Sequence, residues 1–171
     1  MRKNSKGLSE RWKDITLRCK VRTLPAVDVE TAFQIGRYDY IDNSVLEIEK
    51  EDAKRGALIP SGVQSDITIV ALRPETATVV EFLDLCNIIG FKQGRLGHLL
   101  SLGAADPEFF EEKSVAAYGS FIEISGGLMI PVMGRGQNWQ HLALYVEPQR
   151  WDEILEDYWI LISSAPGLAH Y

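Results

Sequence analysis

The sequence predicts an α+β protein with a mixed or antiparallel sheet, or two such sheets, a central helical segment (about 74–112) and a C-terminal docking helix (about 149–162). Three patterns indicate this class. Apolar and polar residues alternate with a period of two in several segments, as they do in half-buried strands. Apolar residues recur at helical spacing after Pro74 and after Pro148. A Gly126-Gly127 pair between two apolar runs is typical of a hairpin.

Two charged segments near the N-terminus are predicted to be neighbouring strands. From Ile15 to Arg22 apolar residues alternate with Thr, Arg and Lys, and from Val45 to Glu51 they alternate with glutamates. If the two strands pair, the glutamates face the basic side chains, and each cross-strand pair adds about 0.2–1 kcal/mol. Residues 29–41 fit either a strand or irregular structure.

The middle of the chain is predicted to be helical after a short buried strand at 67–72. Pro74 suits the first turn of a helix and Gly90 its C-terminal end. A weaker helix over 91–102 contains Gly94 and Gly97, each of which costs about 1 kcal/mol relative to alanine but lets another backbone approach closely. Asp106 is the expected N-cap of a short helical turn. Cys86 is predicted to lie in the core, and His98 to be half-exposed.

The C-terminal third predicts a β-meander followed by a helix. Strands are expected at 115–125, 128–133 and 141–147. Pro131 lacks an N–H, so either the middle strand breaks there or the third strand does not pair with it. The final helix is predicted to bury one apolar face, formed by Trp151, Leu155, Tyr158 and Ile162.

Size and composition predict one globular domain over residues 1–171, with a basic, mobile arm at 1–13. Of the 171 residues, 46% are hydrophobic and 25% are charged, which are ordinary globular values. Cys19 and Cys86 are interpreted as thiols in a reducing compartment. Without a signal-peptide pattern or a long apolar span, we expect a cytoplasmic location and no membrane contact.

The charge distribution disfavours broad nucleic-acid binding. Residues 1–22 contain eight basic and two acidic residues, a net +6, so the remaining residues carry −12 of the total of −6. Because an acidic body repels phosphates, nucleic acid is expected to bind only through residues 1–22. The alternative is that this basic segment folds back onto the acidic body.

The loop between the last two predicted strands of the meander is the main candidate binding site. It contains Arg135, Gln137, Asn138 and Trp139 in close succession. Arginine and tryptophan are common at binding hot spots. The alternative is that Trp139 tucks beneath the loop, so the exposure of its side chain separates the two interpretations.

No catalytic, phosphate-binding or metal-binding motif is present in the sequence, and we expect neither a cofactor nor a metal. The alternative catalytic hypothesis uses Glu123, His141 and Tyr145, which would share one polar sheet face if the strands pair suitably. A carboxylate beside a histidine can activate it as a general base.

The sequence therefore predicts a soluble, non-enzymatic interaction or ligand-binding protein, of the kind expected for a small bacterial accessory protein. Its partner would be another protein or a second copy of the chain. A small enzyme that uses the Glu/His pair is the alternative.

Overall fold

A computed structural model describes residues 19–22, 28–35, 38–58, 66–71, 78–90, 92–111, 113–135, 142–152 and 159–163. These residues form helices and a mixed sheet, so the predicted α+β class is confirmed. None of the helices in these ranges is long and apolar enough to cross a membrane.

The described elements alternate between helices and strands in the first part of the chain and are mostly strands in the last part. The helices are α1 (Val29–Ile35), α2 (Ser44–Lys54), α3 (Val79–Ile89) and α4 (Leu96–Ala105), with a 3-10 helix at Pro107–Phe110. The strands are β1 (Cys19–Arg22), β2 (Tyr38–Ile41), β3 (Asp66–Ala71), β4 (Lys92–Gln93), β5 (Val115–Ala116), β6 (Ile122–Ile124), β7 (Gly127–Gly134), β8 (Leu142–Arg150) and β9 (Trp159–Ser163).

The strands join into one sheet in the order β1-β3-β9-β5-β7-β8-β2. The short strands β4 and β6 pair with β9 and β7, respectively. The β2–β8 and β5–β9 pairs are parallel, whereas the other pairs are antiparallel. The sheet is therefore mixed, and β9, the last of the described strands in sequence, lies near its middle.

Apolar side chains cover both faces of the sheet. Along β7, Leu128, Ile130 and Val132 point to one face and belong to a core that includes Val79 and Cys86 of α3. Met133 points to the other face, where residues of α1, α2 and α4 complete a second core. Because side chains alternate along a strand, β7 contributes to the cores on both faces of the sheet.

The predicted strand at Val45–Glu51 is wrong, because these residues lie in helix α2. Val45 and Ile48 are fully buried at a spacing of three, while Leu46 between them is 40% exposed. A strand would have placed Leu46 and Ile48 on the same face. The alternating glutamates resemble a strand over a few residues, but the buried positions follow the helical period.

The predicted pairing of the basic strand with this segment is therefore also wrong. Residues 19–22 of that strand form β1, which pairs antiparallel with β3, with Cys19 opposite Ile69 and Arg22 opposite Asp66. Residues 15–18 lie outside the described residues. Val29 to Ile41, which the sequence left open, contains helix α1 and strand β2.

The central segment contains α3, α4 and the 3-10 helix, but β4 interrupts it. Helix α3 begins after Thr78, whose side chain and that of Glu81 form a capping box, so Pro74 is not its first residue. Gly90 ends α3 in the left-handed conformation (φ 74°), as predicted. Asp106 caps the 3-10 helix by accepting a hydrogen bond from the Phe109 N–H, also as predicted.

The predicted docking helix at 149–162 is wrong at both of its ends. Residues 149–150 are the end of β8, and residues 159–162 belong to β9. Residues 153–158 lie outside the described residues. Ile160, Leu161 and Ile162 are all buried, as expected for a strand covered on both faces, and Ile160 and Ile162 belong to a different core from Leu161.

Pro131 breaks neither β7 nor its pairing with β8. It lies opposite Val146 in a continuous register, and its carbonyl oxygen accepts a hydrogen bond from the Ala117 N–H at 3.0 Å. The nitrogen and carbonyl of one strand residue point to the same side. The missing N–H of Pro131 therefore faces the gap between β5 and β6, so no hydrogen bond to β8 is lost.

Candidate functional site

Arg135 follows the last residue of β7 and begins the predicted binding loop. The other residues predicted for this loop site, Gln137, Asn138 and Trp139, lie outside the described residues, as does His141. Of the predicted site, the structure therefore describes Arg135 alone, and the predicted exposure of Trp139 stays a prediction.

At the base of the loop, Arg135 forms an ion pair with Glu111, which follows the 3-10 helix. The Nη1 atom of Arg135 lies 3.1 Å from Oε1 of Glu111, and the two side chains are 37% and 55% exposed. Since exposed ion pairs contribute about 0–1 kcal/mol, this contact orients Arg135 without holding it strongly.

Lys113 precedes β5, and Arg135 follows the neighbouring strand β7. Val115 of β5 pairs with Met133 of β7, and a Cβ atom on Gly134 would lie 3.1 Å from the Cβ of Ser114, so the close approach continues beyond the last paired residues. Lys113 and Arg135 are the residues that flank this approach, just before Ser114 and just after Gly134. We call Glu111, Lys113 and Arg135 the strand-end charge cluster.

Aromatic rings support the lysine of this cluster. The Lys113 Nζ atom lies 4.5 Å from the ring centroid of Trp159 and 5.1 Å from that of Phe109. The two rings meet edge to face, with their centroids 5.7 Å apart. Cation–π contacts of this kind stabilise an ammonium group without neutralising its charge. The strand-end charge cluster therefore has two cations and one carboxylate.

Ser114 and Tyr145 occupy the opposite face of the sheet at this end. The Tyr145 hydroxyl donates a hydrogen bond of 3.4 Å to Ser114 Oγ. Tyr145 pairs with Val132, which points into the core beneath α3. Burial raises the pKa of Tyr145, so the phenol is held in its neutral form at physiological pH.

The alternative catalytic residues Glu123 and Tyr145 share a sheet face but are far apart along it. Glu123 pairs with Leu128 and Tyr145 with Val132, four residues further along β7. At a rise of about 3.3 Å per residue, the two lie in rows about 13 Å apart. Glu123 is exposed. With His141 outside the described residues, the Glu/His hypothesis stays a prediction, and this distance argues against Glu123 acting together with Tyr145.

A buried polar group joins α2, the start of α4 and the turn before β6. The Ser120 hydroxyl donates to Oδ2 of Asp52, and Ser120 Oγ accepts the N–H of Leu96 at 2.7 Å. Asp52 is 2% exposed, and its Oδ1 has no hydrogen-bond partner among the described residues. Burial raises the pKa of Asp52 despite the nearby positive charges of Arg55 and Arg95.

His98 also lies in this region and is 8% exposed, so the predicted half-exposed position is wrong. Among the described residues it makes no hydrogen bond to Ser120 or Asp52. Its Nδ1 instead accepts a hydrogen bond from the backbone N–H of Arg95. The arrangement is therefore a set of structural hydrogen bonds and lacks the serine–histidine contact that nucleophilic catalysis needs.

Elsewhere in the described ranges, two features bear on ligand binding. No group of three His, Cys, Asp or Glu side chains there could hold a metal ion. A groove of about 560 Å³ surrounds the β6–β7 turn and is lined by residues 124–129 and 148–150. The groove lies at the start of β7, at the opposite end of this strand from Arg135.

No family model, curated protein or solved structure matches the chain. The chemistry of the site residues therefore carries the functional interpretation. Sequence reasoning missed Glu111 and Lys113. Lys113 lies two positions before the strand predicted at 115–125, and Arg135 follows the strand predicted at 128–133. These positions indicate that the two residues are near each other only when the register between the two strands is known.

Proposed function

We propose that the protein is a non-enzymatic binding protein that contacts another molecule through the loop surface, residues 135–139. The observation that carries this proposal is the Arg135–Glu111 ion pair at the base of the loop. It orients an arginine, the side chain with the most hydrogen-bond donors, at the end of the interior strand β7.

The support beneath the loop favours binding over a purely structural role. Arg135 contacts Glu111, and Lys113 contacts two aromatic rings. Side chains that are already ordered lose less conformational entropy when a partner binds. The sequence then adds Gln137, Asn138 and Trp139 directly after this ordered base, and their amides and indole suit recognition of a polar partner.

The proposed partner is a protein or a second copy of this chain, and the cytoplasm remains the proposed compartment on the evidence of composition alone. A photo-crosslinking amino acid at position 137, compared with one at Glu123, tests the proposal. We expect partner crosslinks from position 137 that are lost in Arg135→Ala, with few from position 123. Crosslinks between copies of the chain would identify the partner as the protein itself.

Equal crosslinking from the two positions, or crosslinking from position 137 that does not depend on Arg135, would contradict the proposal. Arg150→Ala is the matched control, because Arg150 also forms an exposed ion pair, with Asp152 at 3.3 Å. Arg150 pairs with Gly127 at the other end of the β7–β8 ladder, so its loss should leave the crosslinks unchanged.

A further inference from the structure

We infer that Asp52 and Arg55 form a proton-linked switch: when the Asp52 carboxyl ionises, the Arg55 guanidinium leaves the ring of Phe121 and binds Oδ1 of the carboxylate. The switch lies at the C-terminal end of α2 and the turn before β6. It does not involve the loop surface, so the inference is independent of the proposed function.

Helix α2 and its C-cap contain three acidic residues that each precede a basic residue by three positions. Side chains at this spacing are neighbours on the surface of a helix. Two of the pairs are closed ion pairs, Glu47–Lys50 and Glu51–Lys54. The third pair, Asp52 and Arg55, has the same spacing but is open, because each of its side chains contacts a different residue of the turn before β6.

The two contacts that hold this pair open involve adjacent residues. Ser120 donates its hydroxyl hydrogen bond to Asp52 Oδ2, and the guanidinium carbon of Arg55 lies 4.2 Å from the centroid of the Phe121 ring. Because Ser120 and Phe121 are consecutive in the chain, the guanidinium is already near the carboxyl. A change in the side-chain torsion angles of Arg55 is therefore enough to close the pair.

The buried oxygen of Asp52 makes the open pair sensitive to protonation. Asp52 is 2% exposed, and its Oδ1 has no hydrogen-bond partner within the part of the chain that the structure describes. A neutral carboxyl tolerates this position better than a charged one, and burial accordingly raises the pKa of Asp52. An ionised carboxylate needs a donor. Since a charge-assisted hydrogen bond is stronger than a cation–π contact at an exposed site, ionisation favours the closed pair.

Arg55 is better placed to move than the other nearby arginine, Arg95. The Nη1 atom of Arg95 donates a hydrogen bond of 2.8 Å to the carbonyl oxygen of Ala57, and this contact is partly buried. Arg55 is exposed, and its guanidinium would give up a stacking contact without leaving a buried carbonyl unpaired. The positive charges of both arginines favour the ionised form of Asp52, but Arg55 is the one that supplies the new donor.

Two further titratable groups in this region supply no donor to Asp52. Glu49 precedes it by one helical turn, its charge opposes ionisation of Asp52, and its Oε1 accepts the N–H of Val29 at 2.8 Å. Burial lowers the pKa of His98 to about 4, so this ring is neutral over most of the pH range in which a buried carboxyl ionises. Closing the Asp52–Arg55 pair also uncovers the ring face of Phe121, and the switch thereby changes the surface beside β6.

NMR titration of the full chain between about pH 4 and pH 9 tests the switch. The Cγ resonance of Asp52 reports its ionisation. The Hδ resonances of Arg55 report stacking, because protons above the face of an aromatic ring are shifted upfield. We expect them to move downfield with the same midpoint as Asp52 Cγ, and to stay upfield at every pH in Asp52→Asn. Glu51→Gln, which removes a carboxylate from a closed pair of the same helix, is the matched control and should preserve the transition.

A second variant keeps the inference testable if Asp52→Asn does not fold. Arg55→Met removes the donor, so the midpoint of Asp52 should rise, and by more than in Lys54→Met, which removes an equal charge from a closed pair. Arg55 resonances that stay upfield once Asp52 is ionised would overturn the inference. Equal midpoints in Arg55→Met and Lys54→Met would also overturn it, as would a transition in the side chain of Arg95 in place of Arg55.

Discussion

The Nδ1 atom of His98 accepts a hydrogen bond of 3.0 Å from the backbone N–H of Arg95. Arg95 is the N-cap of α4, and His98 is its third helical residue. A Glu or Gln at this position normally makes the same contact. Because Nδ1 accepts, the proton of the neutral ring is on Nε2. Burial lowers the pKa of His98 to about 4, with a further contribution from the charge of Arg95.

His98 should make the fold sensitive to acid. Between its ordinary pKa of 6.5 and the folded value of about 4, the unfolded chain binds a proton that the folded chain does not. Stability is therefore highest above about pH 6.5 and falls as the pH drops towards 4, by about 3 kcal/mol. His98→Gln keeps an acceptor for Arg95 and removes the titration. Urea unfolding at pH 4 and pH 7 should show a smaller loss in the variant, whereas an equal loss would contradict this role.

Asp52 should have the opposite pH dependence. Burial raises its pKa, so the folded chain holds a proton more tightly than the unfolded chain, and stability is lost as the pH rises from about 3.8 through the folded value. Asp52→Asn imitates the neutral carboxyl and keeps an oxygen to accept the Ser120 hydroxyl. We expect the free energy of unfolding of Asp52→Asn, measured relative to wild type, to be larger at pH 7 than at pH 4. The reverse trend would mean that Arg55 and Arg95 outweigh burial.

Substitutions at two nearby apolar residues, Leu46 and Ile48, distinguish helix α2 from the strand that the sequence predicts. Ile48→Ala should cost about 3 kcal/mol of unfolding free energy, because Ile48 is fully buried. Leu46→Ala should change it by less than about 0.5 kcal/mol, because Leu46 is 40% exposed. Chemical unfolding measures both values. Similar losses from the two variants would support a strand in which they share a face.

Gly94 should tolerate no side chain, whereas Gly56 should tolerate one at a modest cost. A Cβ atom on Gly94 would lie 2.7 Å from both the Cβ and the carbonyl oxygen of Leu161, and the Gly94 N–H bonds to that same carbonyl at 2.7 Å. We expect Gly94→Ala to cost about 3 kcal/mol. Gly56 has open space around it but a φ of 65°, so Gly56→Ala should cost about 1 kcal/mol. Thermal or urea unfolding compares them, and a smaller loss for Gly94→Ala would show that β9 can shift.

Local signals predicted the elements that depend on local chemistry. Gly90 ends α3 and Asp106 caps the 3-10 helix because a left-handed residue and a capping carboxylate act within one turn. The hairpin between β6 and β7 was also predicted, although its turn residues are Ser125 and Gly126, both with positive φ. Gly94 permits close approach by the backbone of Leu161, as predicted, although it precedes α4 and does not lie within a helix.

The elements that depend on distant partners could not be predicted in this way. The apolar residues of β9 are compatible with either a helix or a strand. They form a strand because they pair with β3 and β5, which are distant in sequence. Pro131 is tolerated because the neighbouring strand is interrupted, which no local pattern reveals. At the candidate site, Arg135 was predicted from its loop, but Glu111 and Lys113 depend on how the 3-10 helix and β5 reach the end of β7.

The central position of β9 means that the sheet cannot be completed until late in the synthesis of the chain. This strand joins β3 on one side to β5 and β4 on the other, yet it is the last of the described strands to be made. Until residues 159–163 leave the ribosome, the pair β1–β3 and the group β5–β7–β8–β2 have no shared strand to connect them. Between the synthesis of β7 and that of β9, the nascent chain therefore has two strand edges without their final partner, which is a hazard for aggregation.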